Sequence, residues 1–340
     1  MGKNFPAIFS LSEKPHLLGQ TLALIEKSFG YQEPFRFDSD FAPLMASRNH
    51  SHNYILIDEN EYVMAHLGAR VAKLKLHHQH FPLCMLGGIA VAEAERSKGY
   101  LSVLMNHVIS ELRDEVSAFI LWSNQNLYNR YGFHLCGEQY EASCTPSAQT
   151  NFKKTKYKSL NAEEKKQIQK LYQLSLLSEP GLERNEEDWN DVESIAATDL
   201  YLEKSGGSIE GYFFVGKGQD LQGVAHEFGS LSSIPTLRKK ARKVAKVWGA
   251  SEISSEDSLQ YQFMLLPADR KMFSELIKIY TQQRIEVTQI HQVHQKVEFN
   301  FEGQGQELGL EEFLRGIFGP GRFEELNSLK SIFIRGLDSI

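Results

Sequence analysis

Cysteine is scarce in this chain: three in 340 residues, at Cys84, Cys136 and Cys144. An odd number without metal-ligand spacing points to free thiols in a reducing compartment, and excludes a disulfide framework. No apolar run reaches the roughly 18–20 residues that a membrane-crossing helix needs. The opening MGKNFPAIFSLSEKPH has no long apolar core followed by a cleavage site, so no secretory leader is expected. Phe5 and Pro6 follow Gly2 without the Ser or Thr of a myristoylation signal. There is no basic excess either: 37 Lys and Arg stand against 43 Asp and Glu, for a net charge of −6. That balance argues against a general nucleic-acid binder. His77, His78 and His80 cluster in one turn but lack further ligands at defined spacing, so no metal is expected. These absences leave a cytoplasmic protein with no membrane or nucleic-acid partner. A length of 340 residues exceeds a typical domain, so two are expected.

The most informative stretch is Leu83–Leu112. Leu83 to Val91 is a nearly unbroken apolar run with two glycines, as in a strand buried on both faces. Leu101, Leu104, Met105, Val108 and Leu112 repeat at threes and fours, one apolar stripe on a helix. Between them, Glu95-Arg96-Ser97-Lys98-Gly99-Tyr100 is polar, basic and carries a glycine. A strand, a basic turn and a helix start aim backbone N–H groups and a positive helix end at one point. An anion, most naturally a phosphate or pyrophosphate, would be held there.

A second pattern follows another strand-length apolar run, Ser117–Trp122. It reads Ser123-Asn124-Gln125-Asn126-Leu127-Tyr128-Asn129-Arg130-Tyr131-Gly132-Phe133. Arg96-x-x-Gly99-x-Leu101 resembles the coenzyme signature R/Q-x-x-G-x-G/A of the GCN5-related N-acetyltransferases (GNAT). Leu127-Tyr128-x-x-x-Gly132-Phe133 resembles that superfamily's later aromatic motif. Leu101 departs from the Gly or Ala of the general pattern. Leucine is frequent there in the enhanced-intracellular-survival branch, which carries two such domains.

The resemblance implies a mixed α/β fold: a mostly antiparallel GNAT sheet flanked by helices, then a degenerate second GNAT-like domain. It implies acetyl-coenzyme A as co-substrate and no metal. Ile89, Ala90 and Val91 would pair with the pantetheine. Arg96, Ser97, Lys98, Gly99, Tyr100, Leu101 and Ser102 would hold the pyrophosphate. Ser123 and Asn124 would lie near the thioester. Tyr128 matches the general-acid tyrosine that protonates the leaving thiolate. The acceptor would be a primary amine, on a small molecule or a lysine side chain. In the branch named above the chain's own terminal carboxylate reaches the active site, which here is Ile340. His66, Glu59 and water are the other candidate bases. A non-catalytic acetyl-coenzyme A sensor, or transfer from a different acyl donor, are the rival readings. The oligomeric state is left open, a homo-oligomer included.

Residues 143–156 turn small and polar, which suggests a boundary. The expected division is an acetyl-coenzyme A-binding unit over 1–147, a linker over 148–156, and a degenerate unit with a C-terminal extension over 157–340. In the second unit helices are expected over 161–177, 185–203 and 236–248. Strands are expected over 211–215 and 221–231, and a closing strand over 331–335. This order echoes 54–113 and suggests a diverged internal repeat. The copy has Ser230-Leu-Ser-Ser-Ile-Pro235 in place of the basic glycine turn, and Pro235 lacks an amide donor. It is not expected to bind the coenzyme. Arg238, Lys239, Lys240, Arg242, Lys243 and Lys246 are expected on a solvated helix face.

Overall fold

The protein is described by a computed structural model over residues 6–123, 125–147 and 150–340. Asn53–Ile57, Val63–Leu76 and Gln79–Val91 form an antiparallel meander. Their apolar runs are continuous because both faces are covered. Ile55, Ile57, Leu83, Met85, Ala118 and Ile120 point into one core cluster with Leu22 and Ile25 of helix Leu18–Phe29. Their neighbours Tyr54, Leu56, Cys84, Leu86, Phe119 and Leu121 point into another, against Leu104, Met105, Val108 and Leu112 of helix Tyr100–Leu112. The two-residue period of a strand makes this sorting automatic. Gly30, at φ 64°, closes the first helix.

One thirteen-stranded sheet runs through the described residues. From the Ala7–Ser10 edge it passes through the meander to Ala118–Leu121. Ser258–Pro267 comes next, then His134–Ala142 and Lys246–Gly249, and finally the second half's own meander. Ser258–Pro267 therefore sits between two strands of the first half, pairing antiparallel with both. The sheet has two parallel junctions, Gln79–Val91 with Ala118–Leu121 and Val224–Ser230 with Lys246–Gly249. Each follows a helical crossover, Tyr100–Leu112 in one half and Ile234–Ala241 in the other. The repeated order read from sequence is thus repeated in topology. Residues 270–318 add two helices and a three-stranded sheet, packed into the first core. Among the described residues no helix is long and apolar enough to cross a membrane.

Four expectations of the second half need correction. The segment 236–248 is not one helix: helix Ile234–Ala241 stops, and Lys246–Gly249 becomes a strand. Val247 pairs with Ala225 on one side and Ala142 on the other, so tertiary pairing overrides local helical propensity. Arg238 is not on a solvated face, being 1% exposed with its guanidinium 2.6 Å from the Glu179 carboxylate. The helix expected over 185–203 covers Glu186–Ser194, and Asp199–Ser205 pairs as a strand with Ser208–Val215. Residues 331–335 form no strand. The Phe333 N–H donates to the Pro180 carbonyl at 2.8 Å, and Ile334 bonds the Gln262 side chain through both backbone groups at 3.2 Å.

Candidate active site

Gln79–Val91 and Ala118–Leu121 stay in register through the pair Leu86 and Leu121. There the shorter strand ends, and the longer one continues to Val91 with no strand on that side among the described residues. On its other side the pairing slips: His66 faces Ala90 but Gly68 faces Gly87. Gly88 and Ile89 oppose the single residue Leu67, a bulge at Gly88, whose φ of 59° suits glycine. The two strands thus splay into a cleft of about 1080 Å³, and Ile89, Ala90 and Val91 line it.

Beyond the strand, Ser97 (φ 65°) and Gly99 (φ 85°) are both left-handed. This turn feeds helix Tyr100–Leu112, whose start has no side-chain cap. Its first N–H groups therefore carry their partial positive charge uncompensated toward the cleft. Arg96, Ser97, Gly99, Tyr100, Leu101 and Ser102 line that end, and Arg96 is exposed at the rim. Lys98 does not line the cleft; its ammonium lies 2.9 Å from Glu95. Ser102 shares a 2.8 Å hydrogen bond with the Tyr131 hydroxyl.

Ser123 lines the cleft beyond the splay; Asn124 lies outside the described residues. Tyr128 sits on the 3-10 turn Asn126–Tyr131, closed by Gly132 at φ 91°. The residue is 9% exposed, and its ring packs edge-on against Phe133 at 6.5 Å. Its hydroxyl has no hydrogen-bond partner among the described residues, yet the side chain lines the cleft. Burial pushes the phenol's pKa up, with the Tyr131 phenol adding to it. Tyr128 therefore holds its proton throughout the neutral range.

The chain's last residue enters the same cleft. Ile340 is buried, and a Cβ placed on Gly87 would meet its terminal carbon at 2.7 Å. Only the missing side chain of Gly87 leaves room for the terminus. The other candidate bases lie elsewhere. Glu59 is exposed in a hairpin turn. His66 is fully buried beneath the bulge, 2.7 Å from the Gly88 carbonyl and 3.1 Å from Asn53 Oδ1, and burial pushes its pKa down to about 4. Neither lines the cleft.

The opposite wall was not among the expected site residues. Phe29, Tyr31, Phe37 and Phe41 line it with Trp122, and Phe37 stacks on Phe41 at 4.7 Å. The clustered aromatics of 29–41 were the available signal. Gln219 and Asp220, from the second half, complete the wall. Asp40 is buried beside them and accepts the Gln219 N–H at 3.2 Å, and burial raises its pKa. Burial raises the Tyr31 phenol too, with Asp40 and Asp220 adding to it.

Residues 14–136 match the acetyltransferase (GNAT) domain family. No curated protein sequence matches the chain. Among solved structures, a probable N-acyltransferase from Enterococcus faecalis is similar at TM-score 0.59 and 15% identity. That match covers 89% of this chain and 84% of the other. Eis1 from Mycobacterium abscessus is similar at TM-score 0.57 and 10% identity, over 96% and 98%. Saccharomyces cerevisiae N-myristoyltransferase with bound myristoyl-CoA is similar at TM-score 0.52 and 10% identity, over 78% and 84%. At these identities the likeness is one of fold.

Proposed function

Given that residues 14–136 are a GNAT acetyltransferase domain, we propose that the protein transfers the acetyl group of acetyl-coenzyme A to a primary amine, on a small molecule or a lysine side chain. One observation carries this reading: an anion-ready helix start, an unpaired strand edge, a protonated phenol and the chain's terminal carboxylate line one cleft.

The residues fit the co-substrate. The uncapped amides after Gly99, with Arg96 at the rim, suit a diphosphate. The free edge of Gly87–Val91 offers backbone groups to an amide-bearing arm. The bound thioester supplies an activated acyl group. Tyr128 Oη supplies the proton that the leaving sulfur takes. The Ile340 carboxylate accepts a proton from the attacking amine. The aromatic wall Phe29–Phe41 orients the acceptor and excludes water.

In the second half the matching helix start is self-satisfied. Ser233 Oγ accepts the Thr236 N–H at 3.3 Å, and Pro235 has no amide to offer. This supports the division of labour between an acyl-coenzyme A-binding unit over 1–147 and a degenerate unit over 157–340.

The test is calorimetric titration with acetyl-coenzyme A, followed by thiol release with a panel of amines. Tyr128→Phe should bind the thioester as the wild type does and lose about 10²–10⁴ in kcat. Absence of affinity for any acyl-coenzyme A, or full activity in Tyr128→Phe, would sink the proposal.

A further inference from the structure

The terminal residues 336–340 have no regular secondary structure, yet they are almost wholly buried. A tail without strand or helix partners must be held by side chains. Asp338 accepts from Arg184 Nε at 2.7 Å and from the Tyr172 hydroxyl at 3.0 Å, and its carbonyl accepts from Arg70 at 3.2 Å. Arg184 also grips Glu227 with both terminal nitrogens, at 3.0 and 2.6 Å. These contacts fix the tail two residues short of its end.

The last grip differs. Lys217 follows strand Ser208–Val215, in the connection that also supplies Gln219 and Asp220 to the cleft. It is fully buried. Its ammonium donates to the Ser339 carbonyl and to Ser339 Oγ, the latter at 3.2 Å, and sits 4.2 Å from the centre of the Phe41 ring. No carboxylate pairs with it directly among the described residues. Burial lowers its pKa to about 7, with Arg70 pushing the same way; Asp220 and Asp338 oppose most, then Asp40. His226 on the neighbouring strand also feels its charge. A desolvated cation held by neutral oxygens is a poor stabiliser, and an apolar side chain of equal length would pack there at lower cost. Its placement serves the tail and the cleft wall together: one contact is on the residue before the terminus, the other on a lining aromatic.

Resting on the acyl-transfer reading above, we propose that Lys217 is the positioning residue for the terminal carboxylate. It holds Ser339 from two oxygens and so sets Ile340 against Gly87 in the cleft. The second half of the chain, although its own helix start is closed, thereby contributes to the active site of the first.

The test has two readouts. Carboxypeptidase releases Ile340 slowly while the tail is docked. In Lys217→Met release should speed up roughly tenfold, the worth of a hydrogen bond from a charged donor. The melting temperature should not fall. In turnover, Lys217→Met should lose kcat by roughly tenfold or more while KM for acetyl-coenzyme A stays put, since the diphosphate end is untouched. A merely structural lysine would leave that split absent. Ser339→Ala, which removes one of the two oxygens, should give a smaller change in both readouts, and it decides the matter if Lys217→Met misfolds. Unchanged release in a folded Lys217→Met or in Ser339→Ala overturns the inference. If the wild type transfers no acyl group, the functional reading fails, while the release assay still tests the tail's anchor.

Discussion

Gly87→Ala isolates the terminal carboxylate without touching it. Gly87 lies in an ordinary strand, so alanine meets no backbone strain there. Its new Cβ would lie 2.7 Å from the terminal carbon of Ile340, 3.0 Å from its oxygen and 3.1 Å from its side chain. Carbon atoms rest at about 3.5–4.0 Å, so the terminus must retreat by about 1 Å. The tail is the part that yields, because strand Gln79–Val91 is paired on its other side through Gly68. Overpacking of this kind costs about 1–3 kcal/mol of stability. A displacement of about 1 Å at a reacting group costs about 10² in rate. We expect Gly87→Ala to fold, to bind acetyl-coenzyme A within a few-fold of wild type, and to lose about a hundredfold in kcat. The assay is steady-state thiol release, with calorimetry for the thioester. A double-mutant cycle sharpens it. In a chain ending at Ser339 the same substitution should cost almost nothing further, since its target is gone. A folded Gly87→Ala with wild-type turnover would refute the role given to the terminus.

Two further expectations concern the buried network beneath the tail. His226 is fully buried with its Nε2 3.1 Å from the Gly216 carbonyl, and burial lowers its pKa from 6.5 to about 4. The unfolded chain binds that proton more readily, so its stability contribution is complete above pH 6.5 and is lost as pH falls toward 4. The loss is about 3 kcal/mol at most. Denaturant melts across this window should flatten in His226→Gln; an unchanged slope would exclude the histidine as the cause. Asp338→Asn should destabilise by about 3–5 kcal/mol, because it leaves the buried Arg184 with one carboxylate instead of two. A melting temperature within a degree of wild type would show that Glu227 alone suffices.

Some of this was legible in the chain and some was not. The turn at Gly99 and the tyrosine at 128 are local objects. Each depends on a strand, a glycine with a left-handed backbone and a short helical turn within a dozen residues, so order along the chain is enough to find them. The same holds for the capping boxes at Asn161 and Asn185, which start their helices where expected. The continuous apolar run at 83–91 likewise announced a strand covered on both faces. What the chain order hides is pairing at a distance. Ser258–Pro267 inserts between strands 118–121 and 134–142 because its apolar run fits both edges, and nothing near residue 260 says so. Trp248 joined a strand, and Arg238 was buried against Glu179, for the same reason. Lys217 and Arg184 meet the tail from positions that share no motif. Propensity and glycine geometry act over a few residues, and these the sequence alone determined. Charge burial and sheet order depend on which surfaces meet, and only the folded chain decides that.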